Sequence, residues 1–213
     1  PSPRVQIAAT IGLGRLGKLE ADKALLDIKV PTTFTAPEKG KEGPHATPNS
    51  AIVPPHLAVR ALVSLNAVDA CIAAVGTKNS TIALWALRYM HHPKAVSGLI
   101  AKYKVAKDAK TKKEILTTLS RLYKKEAPYD SSWWWSTRPD THGPYYKDIV
   151  WESSPAIKSI LLQEWKKAAD KTFFVELNDK NRMGIVEFGT GEAIAAKEEV
   201  KVEENGPDNQ EAT

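Results

Sequence analysis

The sequence predicts an all-α protein: an α-solenoid of short antiparallel helix pairs, interrupted by an irregular aromatic loop and followed by a polar C-terminal tail. Three observations predict it. Apolar residues recur at i, i+3 and i+4 through successive short segments between residues 3 and 125. Proline and glycine punctuate the segment ends, as at Pro3, Gly17, Pro54-Pro55 and Pro93. The register also recurs. Pro55, Ala61 and Leu65 stand where Pro3, Ala9 and Leu13 stood, and Ala86 and Met90 then take the places of Ala61 and Leu65. With an inserted loop subtracted, this leaves a repeat of roughly 30 residues, the period of stacked helix pairs.

Taken in order, the first segment is a helix over residues 3–17, with Val5, Ala8, Ala9, Gly12, Leu13 and Leu16 at helical spacing. Ser2 suits its N-cap, Pro3 its first turn and Gly17 a left-handed C-cap. A second helix around Glu20–Ile28 buries Ala24, Leu25 and Ile28. Residues 30–53 are rich in Pro, Gly, Lys, Glu and Thr and lack periodicity, so they read as a long inserted loop. The helical pattern returns at Pro54–Asn66, with Val68–Val75 as its partner helix. A third pair spans Ser80–Met90 and Pro93–Val105, with Tyr89, His91, His92 and Pro93 as its corner. A further helix covers Lys110–Lys125, with Ile115, Leu116, Leu119 and Leu122 on its buried stripe. After the aromatic stretch, Ser153-Ser154-Pro155 opens a helix to about Ala169, with Ile157, Ile160, Leu161 and Trp165 inward. Phe173–Met183 is the last predicted helix. The domain plan is therefore 1–128 for the helical repeats, 129–152 for the Trp/Tyr-rich loop, 153–186 for the terminal helices and 187–213 for an acidic tail or linker. Residues 187–213 hold eight acids and two lysines, and such a composition predicts disorder or a linker.

The stretch Tyr129–Trp151 holds seven of the sixteen aromatic residues. Trp133, Trp134 and Trp135 are consecutive. On a helix they would point about 100° apart and on a strand they would alternate, so no single flat core takes all three. Arg138 before Pro139 is pushed to an extended conformation. Asp140 suits an Asx turn, and Gly143-Pro144 breaks the chain again. Two uses fit these residues. The indoles can plug the end of a helical stack, tied by Arg138 and Asp140. Alternatively Trp133, Trp134, Trp135, Arg138, Asp140, His142, Tyr145, Tyr146 and Trp151 form a recognition surface, for a partner protein or for a carbohydrate or planar cofactor.

Composition narrows the chemistry. The net charge is +5, and residues 1–186 carry the excess of base; Lys is common on solvated helix faces, so no DNA partner is expected. No apolar run approaches the roughly 18 residues that cross a bilayer. The chain opens at Pro1 with neither an initiator Met nor a signal-peptide pattern, and reads as a segment of a longer polypeptide. Cys71 is the single cysteine, within an apolar helical pattern, and reads as a small buried hydrophobe; an intramolecular disulfide, a Cys-based zinc site and a covalent haem motif are excluded. Gly12-Leu13-Gly14-Arg15-Leu16-Gly17 matches G-x-G-x-x-G, but Pro3 and the 3.6-residue spacing make its lead-in a helix, so close helix packing is expected there. His91-His92 has no third ligand at a fixed spacing. Neither an activated nucleophile nor a carboxylate pair stands at catalytic spacing, and no cofactor or catalytic residue is expected.

Pro3-Arg4-Val5, Ala8-Ala9 and Leu13-Gly14-Arg15-Leu16-Gly17 together resemble a HEAT repeat of the bacterial, PBS-lyase-like kind. The run Trp133-Trp134-Trp135-Ser136-Thr137-Arg138-Pro139-Asp140-Thr141-His142-Gly143-Pro144-Tyr145-Tyr146, followed by Trp151-Glu152, resembles a stretch in large extracytoplasmic proteins of planctomycete and verrucomicrobial bacteria. Those proteins join a sugar-dehydrogenase-type β-propeller, a HEAT segment and a c-type cytochrome domain. The resemblance covers most of residues 1–183. It implies a periplasmic or otherwise extracytoplasmic location. It also implies an interaction module or scaffold whose partner is a protein domain or subunit, such as a c-type cytochrome or a β-propeller. The chain lacks Cys-x-x-Cys-His, so the resemblance implies no haem ligand here.

Overall fold

A computed structural model of the chain describes residues 3–31, 50–128 and 147–189. These residues are mostly helical with little sheet. The chain divides into two compact units, Pro1–Leu122 and Tyr123–Thr213.

The first unit contains α1 (Pro3–Leu16), α2 (Asp22–Leu26), α3 (Val53–Ser64), α4 (Val68–Ala74), α5 (Ser80–Leu87), α6 (Pro93–Val105) and α7 (Ala109–Arg121). Side-chain caps set the starts of α6 and α7. The Asp108 carboxylate accepts the Thr111 N–H at 2.7 Å and caps α7. His92 Nδ1 accepts the Lys94 N–H at 3.1 Å, with Pro93 in the first turn of α6. Gly17, at φ +69°, ends α1.

The helices meet in a fixed order. α1 packs on α3, α3 on α5 and α5 on α7, while α2 packs on α4 and α4 on α6. α2, α4 and α6 also lean on α3, α5 and α7 respectively. Position in this order decides burial. α5 has neighbours on several sides and buries Ile82, Ala83, Leu84, Ala86 and Leu87. On α7, Ile115, Leu116, Leu119 and Leu122 are buried on one stripe. Each fully buried Leu or Ile contributes about 1.5–3 kcal/mol against exposure. Two glycines let backbones approach. A Cβ on Gly14 would lie 2.9 Å from Ala61 Cβ, and one on Gly98 would lie 2.9 Å from Ile72.

Several expectations need correcting. The stripe Val5, Ala8, Ala9, Gly12 and Leu16 is exposed, with Val5 at 59% and Leu16 at 61%. α1 instead turns Thr10 and Gly14 inward, because the bare Gly14 lets it sit against Ala61. The buried Thr10 hydroxyl is satisfied by donating to the Gln6 carbonyl at 2.8 Å. Ala24 is exposed, while Ala21, Leu25 and Leu26 are buried. Helical backbone resumes at the 3₁₀ turn Ser50–Ile52, inside the predicted loop 30–53. α5 stops at Leu87, where Arg88, Tyr89 and Met90 form a turn. The helix predicted to Lys125 ends at Arg121, and Lys124–Glu126 is a strand.

The second unit contains β1 (Lys124–Glu126), β2 (Asp148–Val150), α8 (Ser154–Lys167), α9 (Thr172–Lys180) and a closing 3₁₀ turn, Val186–Phe188. Its core gathers Ile157, Leu161, Phe174, Val175, Ile185 and Phe188. Phe188 lies 5.7 Å from Phe174 and 5.9 Å from Trp165, ring centre to ring centre. Lys171 holds its ammonium over the Trp165 ring at 4.9 Å and donates to the Trp165 carbonyl. Buried Asn178 ties the C-terminal turn down: its Oδ1 accepts the Ile185 N–H at 2.9 Å, and its amide donates to the Ile185 and Gly189 carbonyls.

Candidate functional site

β1 and β2 pair antiparallel, with Lys124 opposite Val150, Lys125 opposite Ile149 and Glu126 opposite Asp148. The Ala127 N–H donates to the Lys147 carbonyl at 2.8 Å. The chain therefore leaves for the aromatic stretch and returns from it at adjacent points. Such short strands hold by their anchors, and this ribbon has three. Lys124 Nζ pairs with Asp148 Oδ2 at 2.8 Å, with both side chains partly covered. The Lys125 ammonium sits 5.7 Å above the buried Trp151 ring. The Ser154 hydroxyl accepts the Trp151 N–H at 2.9 Å and donates to the Tyr123 carbonyl at 2.5 Å. Ser154 thereby joins the chain entering β1 to the chain leaving β2. The N-cap position of α8 falls on Ser153, whose side chain makes no capping bond.

Among the sequence-derived site residues, Trp151 is placed here, as an anchor under the ribbon. Trp133, Trp134, Trp135, Arg138, Asp140, His142, Tyr145 and Tyr146 lie outside the described residues, as do the loop residues 32–49 and the tail from 190 onward.

Elsewhere the titratable groups are tuned by structural contacts. Asp27 is held below the usual aspartate value by the Asn79 amide at 2.9 Å and then by Lys78. The Thr111 N–H does the same for Asp108. Lys158 and Glu187 stabilise each other's charge across 2.9 Å, raising the lysine and lowering the glutamate. Burial pushes the Cys71 thiol up to about 12, with Asp22 adding to it, so it stays protonated and behaves as a core hydrophobe. The G-x-G-x-x-G match runs from the second half of α1 to Gly17 just past its end, and among the described residues helix rather than strand leads into it. Among the described residues no group of three His, Cys, Asp or Glu side chains is placed to hold a metal ion. None of their helices is long and apolar enough to cross a membrane.

No family model, no curated protein and no solved structure matches the chain.

One feature escapes a reading of motifs. His56 and Trp85 bring their rings to 6.1 Å across the α3–α5 junction, where Arg60, Ser64 and Tyr89 line the same cleft. The signal lies in the repeat register. Arg60 and Trp85 precede the equivalent positions Ala61 and Ala86, and Ser64 and Tyr89 precede the equivalent positions Leu65 and Met90. Matching positions of the recurring sequence register thus carry different residue types.

Proposed function

We propose that the chain is a non-catalytic scaffold or interaction module, a HEAT-type α-solenoid that docks another protein domain or subunit. The order of helix contacts in the first unit carries this reading. One set of alternate helices packs in sequence, the other set does likewise, and the two sets lean on each other along the way, as in stacked repeats. The recurring register of Ala9, Ala61 and Ala86 supports it.

The aromatic stretch is the proposed docking element. Its ends are pinned by β1, β2, Trp151 and Ser154, and a stretch rich in Trp and Tyr supplies the residue types that dominate binding energy at protein interfaces. The resemblance of residues 133–152 to the extracytoplasmic proteins points to a redox assembly outside the cytoplasm, with a c-type cytochrome or β-propeller domain as partner. A second reading uses the same pinned stretch as a binding module for a carbohydrate or planar cofactor.

Affinity capture with the purified chain from an extracytoplasmic extract of the source organism separates these readings. The scaffold reading expects a saturable complex with a haem-containing or propeller-containing chain, weakened at least about tenfold when Trp133, Trp134 and Trp135 are all replaced by Ala. A strictly partnerless monomer would overturn it. Tryptophan-fluorescence titration with glycans and with free haem tests the second reading, and silence across that panel rejects it.

A further inference from the structure

A cleft of 360 Å³ opens between α3 and the end of α5. Buried Val59 forms its floor, and His56, Trp85 and Tyr89 supply aromatic walls. Tyr89 is 53% exposed, a large aromatic surface left facing water. Arg60 and Ser64, one turn apart on α3, supply a guanidinium and a hydroxyl, and among the described residues no acidic side chain lines the cleft.

The surrounding charge points the same way. Between residues 50 and 107 Asp69 is the only acid, and Lys94 pairs with it at 2.7 Å. Arg60 has no ion-pair partner among the described residues. An apolar, aromatic cavity with a few convergent polar groups is the usual build of a small-ligand site. With a guanidinium and no carboxylate among its described lining residues, the cleft favours an anion.

We propose that the cleft binds an aromatic monocarboxylate, a ring with its carboxylate attached directly or through a short link. The ring lies against Trp85, His56 and Tyr89, and the carboxylate meets the Arg60 guanidinium. Arginine suits a carboxylate because its planar fork can donate two parallel N–H bonds. Among the described lining residues Arg60 is the one fixed cation, which matches a single negative charge better than a phosphate dianion. The volume is at the small end for ligand pockets, which limits the ring to one fused system. A free aryl acid and the C-terminal aromatic residue of a polypeptide offer the same chemistry. The site uses no residue of 129–151, so it stands or falls separately from the docking role proposed for that stretch.

The test is a two-dimensional NMR titration of the full ¹⁵N-labelled chain, with the Trp85 indole signal assigned by Trp85→Phe. Two probes are added in turn, 2-naphthoate and acetyl-Ala-Phe with a free C-terminus. The Trp85 signal should shift saturably, with a Kd of about 0.1–1 mM for a ligand of this size. The tighter of the two probes identifies the source of the carboxylate. Neutral 2-naphthamide should bind at least fivefold more weakly, by our estimate of about one charge-assisted contact. Arg60→Gln, at an exposed position, should lose about the same factor while the rest of the spectrum stays in place. No saturable shift at Trp85 with either probe, or equal affinity for naphthoate and naphthamide, overturns the proposal.

Discussion

Gly12 and Gly14 sit two positions apart in α1, and the same substitution should have opposite effects at each. Among the described residues a Cβ at Gly12 meets nothing within 4 Å, so Gly12→Ala gains helix propensity at no steric cost and should stabilise by about 0.5–1 kcal/mol. At Gly14 the new methyl meets Ala61 Cβ at 2.9 Å and Ala61 Cα at 3.5 Å, neither of which can swing aside. Overpacking of about 1–3 kcal/mol then outweighs the propensity gain, and Gly14→Ala should lower the thermal midpoint. Both melts are read by far-UV circular dichroism; a stabilising Gly14→Ala would show that α1 does not rest on Ala61. Asn178 is the corresponding test in the second unit. Asn178→Ala removes the acceptor for the buried Ile185 N–H and the donor to two carbonyls, and should cost about 2 kcal/mol or more in urea unfolding. Asp108 carries a pH effect. Its folded pKa is lowered by the Thr111 N–H, so its contribution is fully present above the ordinary aspartate value of 3.8 and is lost as pH falls through the lower folded value. Asp108→Asn keeps a capping oxygen without the titration. Its thermal midpoint should therefore fall less steeply than the wild type's below that pH.

Among the elements, α6 was legible, because Pro93 fixes φ at its first turn. The sequence placed the next helix near Lys110, while its cap Asp108 shows only in the structure, where it accepts the Thr111 N–H. The inward face of α1 was not legible. Ile7, Ala8, Ala9, Ile11, Gly12 and Leu13 leave two faces apolar, and the choice between them is made by Ala61, far along the chain. The ribbon was illegible for a similar reason. Lys124-Lys125-Glu126 has no alternation of apolar residues, and the strand exists through its pairing with Asp148–Val150 and through Trp151 beneath Lys125. Of the candidate site, the sequence singled out Trp151 but could not give its role, since burial depends on Ser154 bridging to Tyr123. The α3–α5 cleft was hidden because His56 and Trp85 stand on different helices and meet only once those helices pack. Ser154→Ala tests the bridge. It strands the Trp151 N–H and the Tyr123 carbonyl in a buried place and should cost about 1–3 kcal/mol. Hydrogen exchange should then speed up at Lys124–Glu126 and Asp148–Val150 before it does in α9; uniform exchange across the unit would mean the ribbon does not depend on Ser154.

At the scale of the first unit, the order of helix contacts makes a demand that a single cooperative core does not. If each helix draws its stability from its nearest neighbours, damage in the middle should spread outward and fade. Leu87 in α5 is fully buried, and α5 packs on α3, α4 and α7. Leu87→Ala leaves a cavity and should cost about 2–5 kcal/mol. Hydrogen exchange followed by mass spectrometry should show the largest loss of protection in α5, then in α3, α4 and α7. α1, which reaches α5 through α3, should lose less. The cost should also fall on the cleft, because Trp85 and Tyr89 are carried by α5 and the turn after it, while His56 and Arg60 are carried by α3. A weakened α5 therefore reduces naphthoate affinity without touching a lining residue, whereas the exposed-face change Gly12→Ala leaves it unaltered. Equal loss of protection from α1 to α7 would instead mark the unit as one indivisible core and would remove the main support for the proposed repeat scaffold.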